Sequence, residues 1–361
     1  MNRHIAYRRV SAVRSGGFTM VELLVVVAII AMLAAMMLGA VHVSREAARE
    51  MKTESTIRKI DGVVTNLYDS YRTRRAPIFS GNVSPDVAAR ARLVALRDIM
   101  RMEMPERWAD VTDDPVAIAD TDGNTIPRPA LSWAYLRRYR QSEITMVGAY
   151  GPGTMRGEGR ERLNRYSSAE CLYMIVGMAG GADARGQFHE NETGDADGDG
   201  LLEFHDGWGN PILFLRWAPG LTGSPLQTQV FFDPEDDKIF ERNAVAAEKG
   251  ALMDHDPFDS RNVQSHAYRL VPYIYSAGPD GIYDINFEGG YTFTDLNDPY
   301  SFGVSSAPEP NEAGIPVNSW NQSVTAMDPP EDSVDPLHGP KMTPDTLDHF
   351  DNIDNHRLEA R

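Results

Sequence analysis

The sequence predicts an α+β protein. A long N-terminal helix, with a transmembrane half and an amphipathic stalk, is expected to pack on a small antiparallel sheet and to be followed by a helical insertion. Three observations support this fold class. An uncharged apolar run spans 23–41, apolar residues then recur every three or four positions, and strand-like segments lie at 212–217, 228–232 and 268–276. The 361 residues are enough for one large or two ordinary domains.

The first element is an apolar segment long enough to cross a bilayer. Residues 23–41 would form a helix of about 28 Å, close to a hydrocarbon core of roughly 30 Å. Residues 1–17 contain arginines and no acid, which predicts a cytoplasmic N-terminus. A secretory signal peptide fits poorly, because the small residues before Phe18 precede the apolar run. A simple anchor leaves Glu22 unexplained, since a charge costs roughly 2.5–3.5 kcal/mol at the bilayer centre.

The residues around Glu22 resemble a known N-terminal motif. The stretch "GGFTMVELLVVVAIIAML" is similar to the class III leader of type IV pilins and type II secretion pseudopilins. The resemblance implies that a prepilin peptidase cleaves after Gly17 and N-methylates Phe18. Glu22 would then pair with the new amine on a neighbouring subunit, because opposite charges attract strongly at low dielectric. Two positions depart from the common pattern, namely Ala31, where many members have Gly, and Gly39, where many have Pro.

The resemblance also implies a domain order, partners and a location. Residues 1–17 are the leader peptide, 18–43 the transmembrane and polymerisation helix, and 44–76 the stalk helix. The partners are identical and related pilin-like subunits, the prepilin peptidase and an inner-membrane assembly platform. The chain would be a single-pass protein of the cytoplasmic (inner) membrane, with its N-terminus in the cytoplasm and its globular part in the periplasm.

The stalk is predicted from the spacing of its apolar residues. They recur at three- and four-residue steps with charges between them: Met51, Ile57, Ile60, Val64, Leu67 and Tyr71. The helix is expected to end near Arg75, because Pro77 disfavours helical backbone at Ala76. A helix from Phe18 to about Arg74 would be on the order of 85 Å long.

Residues 77–185 are predicted to form a helical insertion. Ser84 begins one helix and a second is expected over 130–141. Ser167 and Glu170 are expected to form a capping box for a third helix, which contains Cys171. A single cysteine excludes an intramolecular disulfide, and its apolar surroundings indicate a packed, unreactive thiol.

The segment "GDADGDGLLEFHDGWGNP" has the spacing of an EF-hand-type calcium loop. The predicted ligand residues are Asp195, Asp197, Asp199, Leu201, Glu203 and Asp206. Alternating carboxylates suit calcium, which takes six to eight oxygen ligands, and Gly200 falls where the loop must turn sharply. Asp206 stands where Glu is usual, and no pair of flanking helices is evident. The alternative interpretation is a solvated acidic turn.

Two later segments resemble the major pseudopilin of type II secretion. They are "DGWGNPILFLRW", similar to its D-x-W-G-x-P strand, and "YIYSAGPDGIYD", similar to its S-x-G-x-D-G loop. Calcium stabilises the C-terminal loop region of that family, which implies Ser276, Asp280 and Asp284 as further ligands. The family's D-D-I-x-N element is displaced here to "DNIDNH" at 351–356. Residues 186–304 are expected to be β-rich with acidic calcium-type loops, and 305–361 to be a Pro-rich acidic tail.

The sequence contains no recognisable catalytic motif. His189 and His205 flank the acidic loop, but the histidines are scattered and no His-Glu-x-x-His spacing occurs. The net charge of −17 disfavours nucleic acid as a partner. A structural subunit is therefore favoured over an enzyme, namely a pseudopilin processed by prepilin peptidase and assembled into a periplasmic fibre. The alternatives are a type IV pilin or minor pilin for adhesion, motility or DNA uptake, and a membrane-anchored metal-dependent hydrolase.

Overall fold

The computed structural model describes residues 19–77, 84–115, 117–118, 124–150, 166–218, 224–226, 254–264, 267–283, 292–293, 302–303 and 352–359. The chain divides into two units, Met1–Ala48 and Arg49–Arg361. The predicted strand at 228–232 lies outside the described residues.

The first unit contains the beginning of helix α1, which runs over Met20–Ser70. Its large apolar side chains are exposed from Met20 to Val43. A chain segment in lipid must satisfy its own backbone hydrogen bonds, and a continuous helix does so. By length and composition, α1 with the 3₁₀ turn that follows it is apolar enough to cross a membrane.

The second unit has its core against the stalk part of α1. Ile57, Ile60 and Val64 are fully buried on one helical face, and Leu67 packs partly buried beside them. Met51 is exposed, so the buried face begins after it. The α-helix ends at Ser70 and a 3₁₀ turn continues over Tyr71–Thr73, close to the predicted end. The amphipathic stalk is thus confirmed.

The predicted insertion is helical and shares the core of the stalk. Its helices are α2 (Pro85–Glu103), α3 (Trp108–Thr112), α4 (Ala130–Tyr150), α5 (Ser167–Met174) and α6 (Gly181–Arg185), with a π-helical turn at Ile175–Ala179 and a hairpin of β1 (Ala117–Ile118) and β2 (Asn124–Thr125). Helix α2 begins as predicted, since the Ser84 hydroxyl accepts a hydrogen bond from the Val87 amide. Leu96 and Met100 of α2 belong to the same apolar cluster as the stalk.

The strands are short and antiparallel. β3 (Thr193–Gly194) pairs with β4 (Glu203–Phe204), and β7 (Thr292–Phe293) pairs with β8 (Phe302–Gly303). The central sheet has the order β5 (Leu213–Leu215), β6 (Tyr273–Ser276) and β9 (Ile353–Asp354). Phe214 of β5 and Ile274 of β6 lie in the stalk's apolar cluster. The predicted α+β class is confirmed.

Two local predictions were wrong. The tail predicted over 305–361 does not extend to the end of the chain, because 352–359 form β9 and helix α7 (Asn355–Glu359) against the sheet. The predicted capping box at α5 is not formed. Tyr166 rather than Ser167 is the N-cap residue, and the Glu170 carboxylate accepts a hydrogen bond from the Trp108 indole nitrogen instead.

The C-terminal segment is fixed to the sheet by two buried polar side chains. Asn355 accepts a hydrogen bond from the Ile274 amide and donates to Asp61 of α1 and to the Pro272 carbonyl. His356 Nε2 lies 3.0 Å from the Pro272 carbonyl oxygen, so Nε2 carries the proton, and Nδ1 can accept from the Ser224 hydroxyl at 2.7 Å. Both ring nitrogens of a neutral imidazole are therefore satisfied.

Acid is expected to weaken this attachment through His356. Burial lowers the pKa of His356 to about 4, whereas an unfolded histidine titrates near about 6.5. The unfolded chain binds more protons below pH ~6.5, so this stability is complete above that pH and is lost progressively as the pH falls from ~6.5 to about 4. Denaturant unfolding at pH 7.5 and at pH 4 measures the free energy of unfolding. Its decrease between these two pH values should be about 2–3 kcal/mol larger in the wild type than in His356→Gln. Equal losses in the two proteins would contradict the assignment.

Candidate functional site

The first turn of α1 contains the glutamate singled out in the sequence. The Glu22 carboxylate accepts hydrogen bonds from the Thr19 amide at 2.8 Å and the Thr19 hydroxyl at 2.9 Å, and the Glu22 amide donates to the same hydroxyl at 3.2 Å. This reciprocal pattern is a capping box, which satisfies free donors at the start of a helix. Glu22 therefore also stabilises the start of its own helix. Gly17 and Phe18 lie outside the described residues.

The acidic loop is the turn of the β3–β4 hairpin. The Asp195 carboxylate shapes it by accepting from the backbone amides of Gly198, Asp199 and Gly200. Gly200 has a φ of 89°, a left-handed conformation that favours glycine. The sharp turn expected at Gly200 is therefore present.

Four carboxylates converge beside this turn. They belong to Asp197 and Asp199 of the loop, Glu203 of β4 and Glu170 of α5, and one oxygen from each lies within 4.8 Å of the other three. Glu170, Asp199 and Glu203 are 1%, 2% and 0% exposed, respectively. Burial raises the pKa of Glu170 well above its usual range, and the neighbouring carboxylates raise it further. Burial, together with Asp197, Asp195 and Glu203, raises the pKa of Asp199 to about 7.

In Glu170, Asp199 and Glu203, one carboxylate oxygen accepts a hydrogen bond from a described residue and the other does not. Trp108 donates to Glu170 Oε2, the Leu201 amide to Asp199 Oδ1, and the Ala196 amide to Glu203 Oε2. Among the described residues, Glu170 Oε1, Asp199 Oδ2 and Glu203 Oε1 accept no hydrogen bond. Buried polar atoms normally have partners, so these three oxygens require an explanation.

The cluster overlaps with the predicted calcium ligands but differs from them. Asp197, Asp199 and Glu203 are brought together, whereas Asp195 and Asp206 lie outside the cluster. Leu201 lies between two members of the cluster, and its carbonyl remains only a predicted ligand. Glu170 was missed because it is distant in sequence from the loop and its local pattern indicated a cap. No signal in the sequence connects it with the loop.

Asp206 organises the two segments that resemble the major pseudopilin. Its carboxylate accepts from the amides of Trp208, Gly209 and Asn210, from the Asn210 side chain and from the Ser276 hydroxyl: five donors on one 1%-exposed side chain. The D-x-W-G-x-P turn and the S-x-G strand end are thereby joined directly.

The neighbouring Gly207 brings this turn close to the stalk. Its amide donates to the Thr53 hydroxyl of α1, and an added Cβ would lie 2.3 Å from the Arg49 carbonyl oxygen. Only glycine fits this approach without a shift of the backbone. The turn is therefore attached both to β6 and to the stalk helix.

The second predicted set of ligands is only partly described. Ser276 donates to Asp206, and Asp280 accepts from the Ile282 amide in an exposed turn. Asp284 lies outside the described residues. Within the part of the chain that the structure describes, the metal-type clustering of acidic and histidine side chains occurs only at the four carboxylates.

The histidines beside the loop do not form a catalytic arrangement. His189 is exposed, and His205 Nε2 lies 3.7 Å from a Glu203 oxygen, beyond hydrogen-bonding distance. Cys171 is a fully buried thiol whose pKa is raised by burial, which opposes thiolate chemistry. A nucleophile–base pair that includes these groups is not found among the described residues.

Comparison with protein families accounts for the N-terminal features. Residues 13–38 match the family model of the prokaryotic N-terminal methylation motif. The chain carries this methylation motif. Together with the long apolar helix that begins within it at Met20, the motif supports a type IV pilin-like or pseudopilin structural subunit, with one N-terminal helix suited to a membrane anchor. Nothing matches the chain among curated proteins or among solved structures.

Proposed function

We propose that this chain is a pseudopilin of a type II secretion-like system. In this proposal, prepilin peptidase cleaves between Gly17 and Phe18 on the cytoplasmic side and methylates Phe18. The helix over 18–43 then assembles with identical and related subunits, on an inner-membrane platform, into a periplasmic fibre. The observation that carries the proposal is the methylation motif at 13–38, which includes the first part of an apolar helix whose large side chains are exposed.

Close packing of this apolar surface against neighbouring helices supplies a driving force for the proposed assembly. In the membrane, lipid first covers the surface between Met20 and Val43, and close packing with like helices gains van der Waals contact. Glu22 then supplies register. Its charge is stable in an apolar surrounding only beside a cation, and cleavage at Gly17 creates one at Phe18.

The secretion role is favoured over a surface pilus by the C-terminal motifs. Asp206 and Ser276, matched to the two segments that resemble the major pseudopilin, are hydrogen-bonded at 2.8 Å. A type IV pilin is the second candidate, because it has the same kind of N-terminus. Long surface filaments in electron micrographs of expressing cells would favour the pilin, whereas short fibres confined to the periplasm would favour the pseudopilin.

The processing step is expected to be visible in the intact mass of the protein. Chain extracted from membranes that contain a prepilin peptidase should lack residues 1–17 and carry one added methyl group. Gly17→Leu should remain at full length, whereas Gly16→Ala, the matched control one residue earlier, should be processed. A wild-type chain that remains whole, or one cut after Val41, would overturn the proposed pathway.

A further inference from the structure

We propose that the four-carboxylate cluster of Glu170, Asp197, Asp199 and Glu203 is a calcium site that links helix α5 to the β3–β4 hairpin. The inference is independent of the secretion role, because it depends only on side chains of the second unit. It replaces the ligand set expected from EF-hand spacing with one that combines the loop and a distant helix.

The buried oxygens of the cluster require a partner. Glu170 Oε1, Asp199 Oδ2 and Glu203 Oε1 accept no hydrogen bond from the described residues, and their side chains are at least 98% buried. Buried carboxylates normally have hydrogen-bond or charge partners, since an uncompensated buried charge is strongly unfavourable. The one imidazole in ion-pair range of these three side chains, within the described part of the chain, is His205 at 3.7 Å from Glu203. A bound cation would satisfy all three oxygens at once.

The size of the cluster suits a calcium ion. Calcium binds oxygens at about 2.3–2.6 Å, so ligands on opposite sides of the ion are roughly 4.6–5.2 Å apart. One oxygen from each of the four carboxylates lies within 4.8 Å of the other three, so the four side chains can share one coordination shell. Backbone carbonyls and water can complete the six to eight ligands that calcium takes.

The chemistry of the donors selects calcium among divalent cations. All four donors are hard carboxylate oxygens, whereas structural zinc sites favour sulfur and nitrogen. Magnesium retains several waters and is usually held by one or two carboxylates, so a cage of four suits it poorly. The high density of negative charge favours a divalent ion over a monovalent one.

The ligands are held in place by groups outside the cluster. Trp108 fixes Glu170, and the Leu201 and Ala196 amides fix Asp199 and Glu203. Such outer contacts orient ligand atoms before the ion arrives. A cavity of about 220 Å³ borders the cluster, because its lining includes Glu170, Leu201 and Arg138. Arg138 donates to the Gly200 carbonyl, and its guanidinium is thereby directed to the loop backbone.

The test is calcium binding by the full chain in detergent, after removal of metal with a chelator. Calcium chloride at a hundredfold excess over the measured dissociation constant should raise the midpoint of thermal unfolding by about 5–10 °C. Glu170→Gln and Glu203→Gln should each weaken binding at least about tenfold. Asp280→Asn is the control, because Asp280 lies outside the cluster in an exposed turn, and it should retain most of the affinity.

A second readout locates the ion. Terbium replaces calcium in oxygen cages and emits light when a nearby tryptophan is excited. Trp108 is such a tryptophan, because its indole nitrogen donates a hydrogen bond to Glu170. Wild-type chain should therefore show terbium emission that calcium displaces and that Trp108→Phe reduces. Absence of both the thermal shift and the emission would overturn the proposal. So would equal binding by Glu170→Gln and wild type, or a loss in Asp280→Asn as large as in Glu170→Gln.

Discussion

Glu22→Gln is expected to be inserted in the membrane and processed at Gly17, yet to lose filament assembly by at least about tenfold. The substitution removes the negative charge that would pair with the amine of Phe18 on a neighbouring subunit, and the breaking of such a pair at low dielectric typically costs about 3–5 kcal/mol. Glutamine retains a side-chain oxygen for the Thr19 amide, so the capping box survives. Assembly can be measured as the fraction of subunit that sediments as fibre after mild solubilisation.

The capping box requires its own control. Thr19→Val removes the hydroxyl that bonds Glu22 and leaves the charge in place. Loss of a cap costs about 0.5–2 kcal/mol of helix stability, a small fraction for a helix as long as α1. Thr19→Val should therefore assemble nearly as well as wild type. Normal fibre yield from Glu22→Gln, or an equal defect in both variants, would refute the charge-pairing argument.

The features predicted well from sequence are those whose information is local. The periodic spacing of Ile57, Ile60 and Val64 predicted the buried face of the stalk, because residues three and four apart share a side of a helix. Ser84 before Pro85 predicted the start of α2 through the chemistry of an N-cap. The methylation motif is likewise a contiguous pattern.

The features that were missed depend on contacts between distant parts of the chain. β9 is a strand of two residues, too short for an alternating pattern, and it is held by the polar side chains of Asn355 and His356 rather than by apolar periodicity. Glu170 meets Asp199 only because α5 packs beside the β3–β4 hairpin. The sequence around Ser167 predicted a different role for Glu170, since a Glu three residues after a Ser N-cap usually caps its own helix.

Asp206 shows how one spacing supports two interpretations. Its place at the end of the acidic loop predicted a calcium ligand, but its carboxylate accepts hydrogen bonds from three backbone amides and two side chains. An aspartate that binds a metal and an aspartate that accepts hydrogen bonds in a turn are the same residue in a sequence. The two roles differ in which hydrogen-bond donors the fold places next to the carboxylate, and a sequence pattern does not contain that information.

Asp206→Ala is therefore expected to destabilise the second unit by about 3–5 kcal/mol. The change removes the acceptor of a buried hydrogen bond from Ser276 and of partly buried ones from the Asp206 turn, and a hydrogen bond to a charged group contributes about 1.5–3 kcal/mol. It also releases the turn whose Gly207 amide is bonded to Thr53 of α1. Denaturant unfolding of the full chain in detergent, performed in the presence of a chelator so that metal binding does not contribute, measures the loss.

Asp280→Ala is the matched control for this prediction. Asp280 is also an aspartate that accepts a backbone amide in a turn, but it is exposed and is bonded to the single donor Ile282. Water replaces the lost acceptor at an exposed site, so its substitution should cost less than about 1 kcal/mol. If the two variants lose the same stability, Asp206 does not join the turn to the sheet. A large loss in Asp206→Ala alone, with the chelator present, would show that the two pseudopilin-like segments are linked by this carboxylate without the help of a metal.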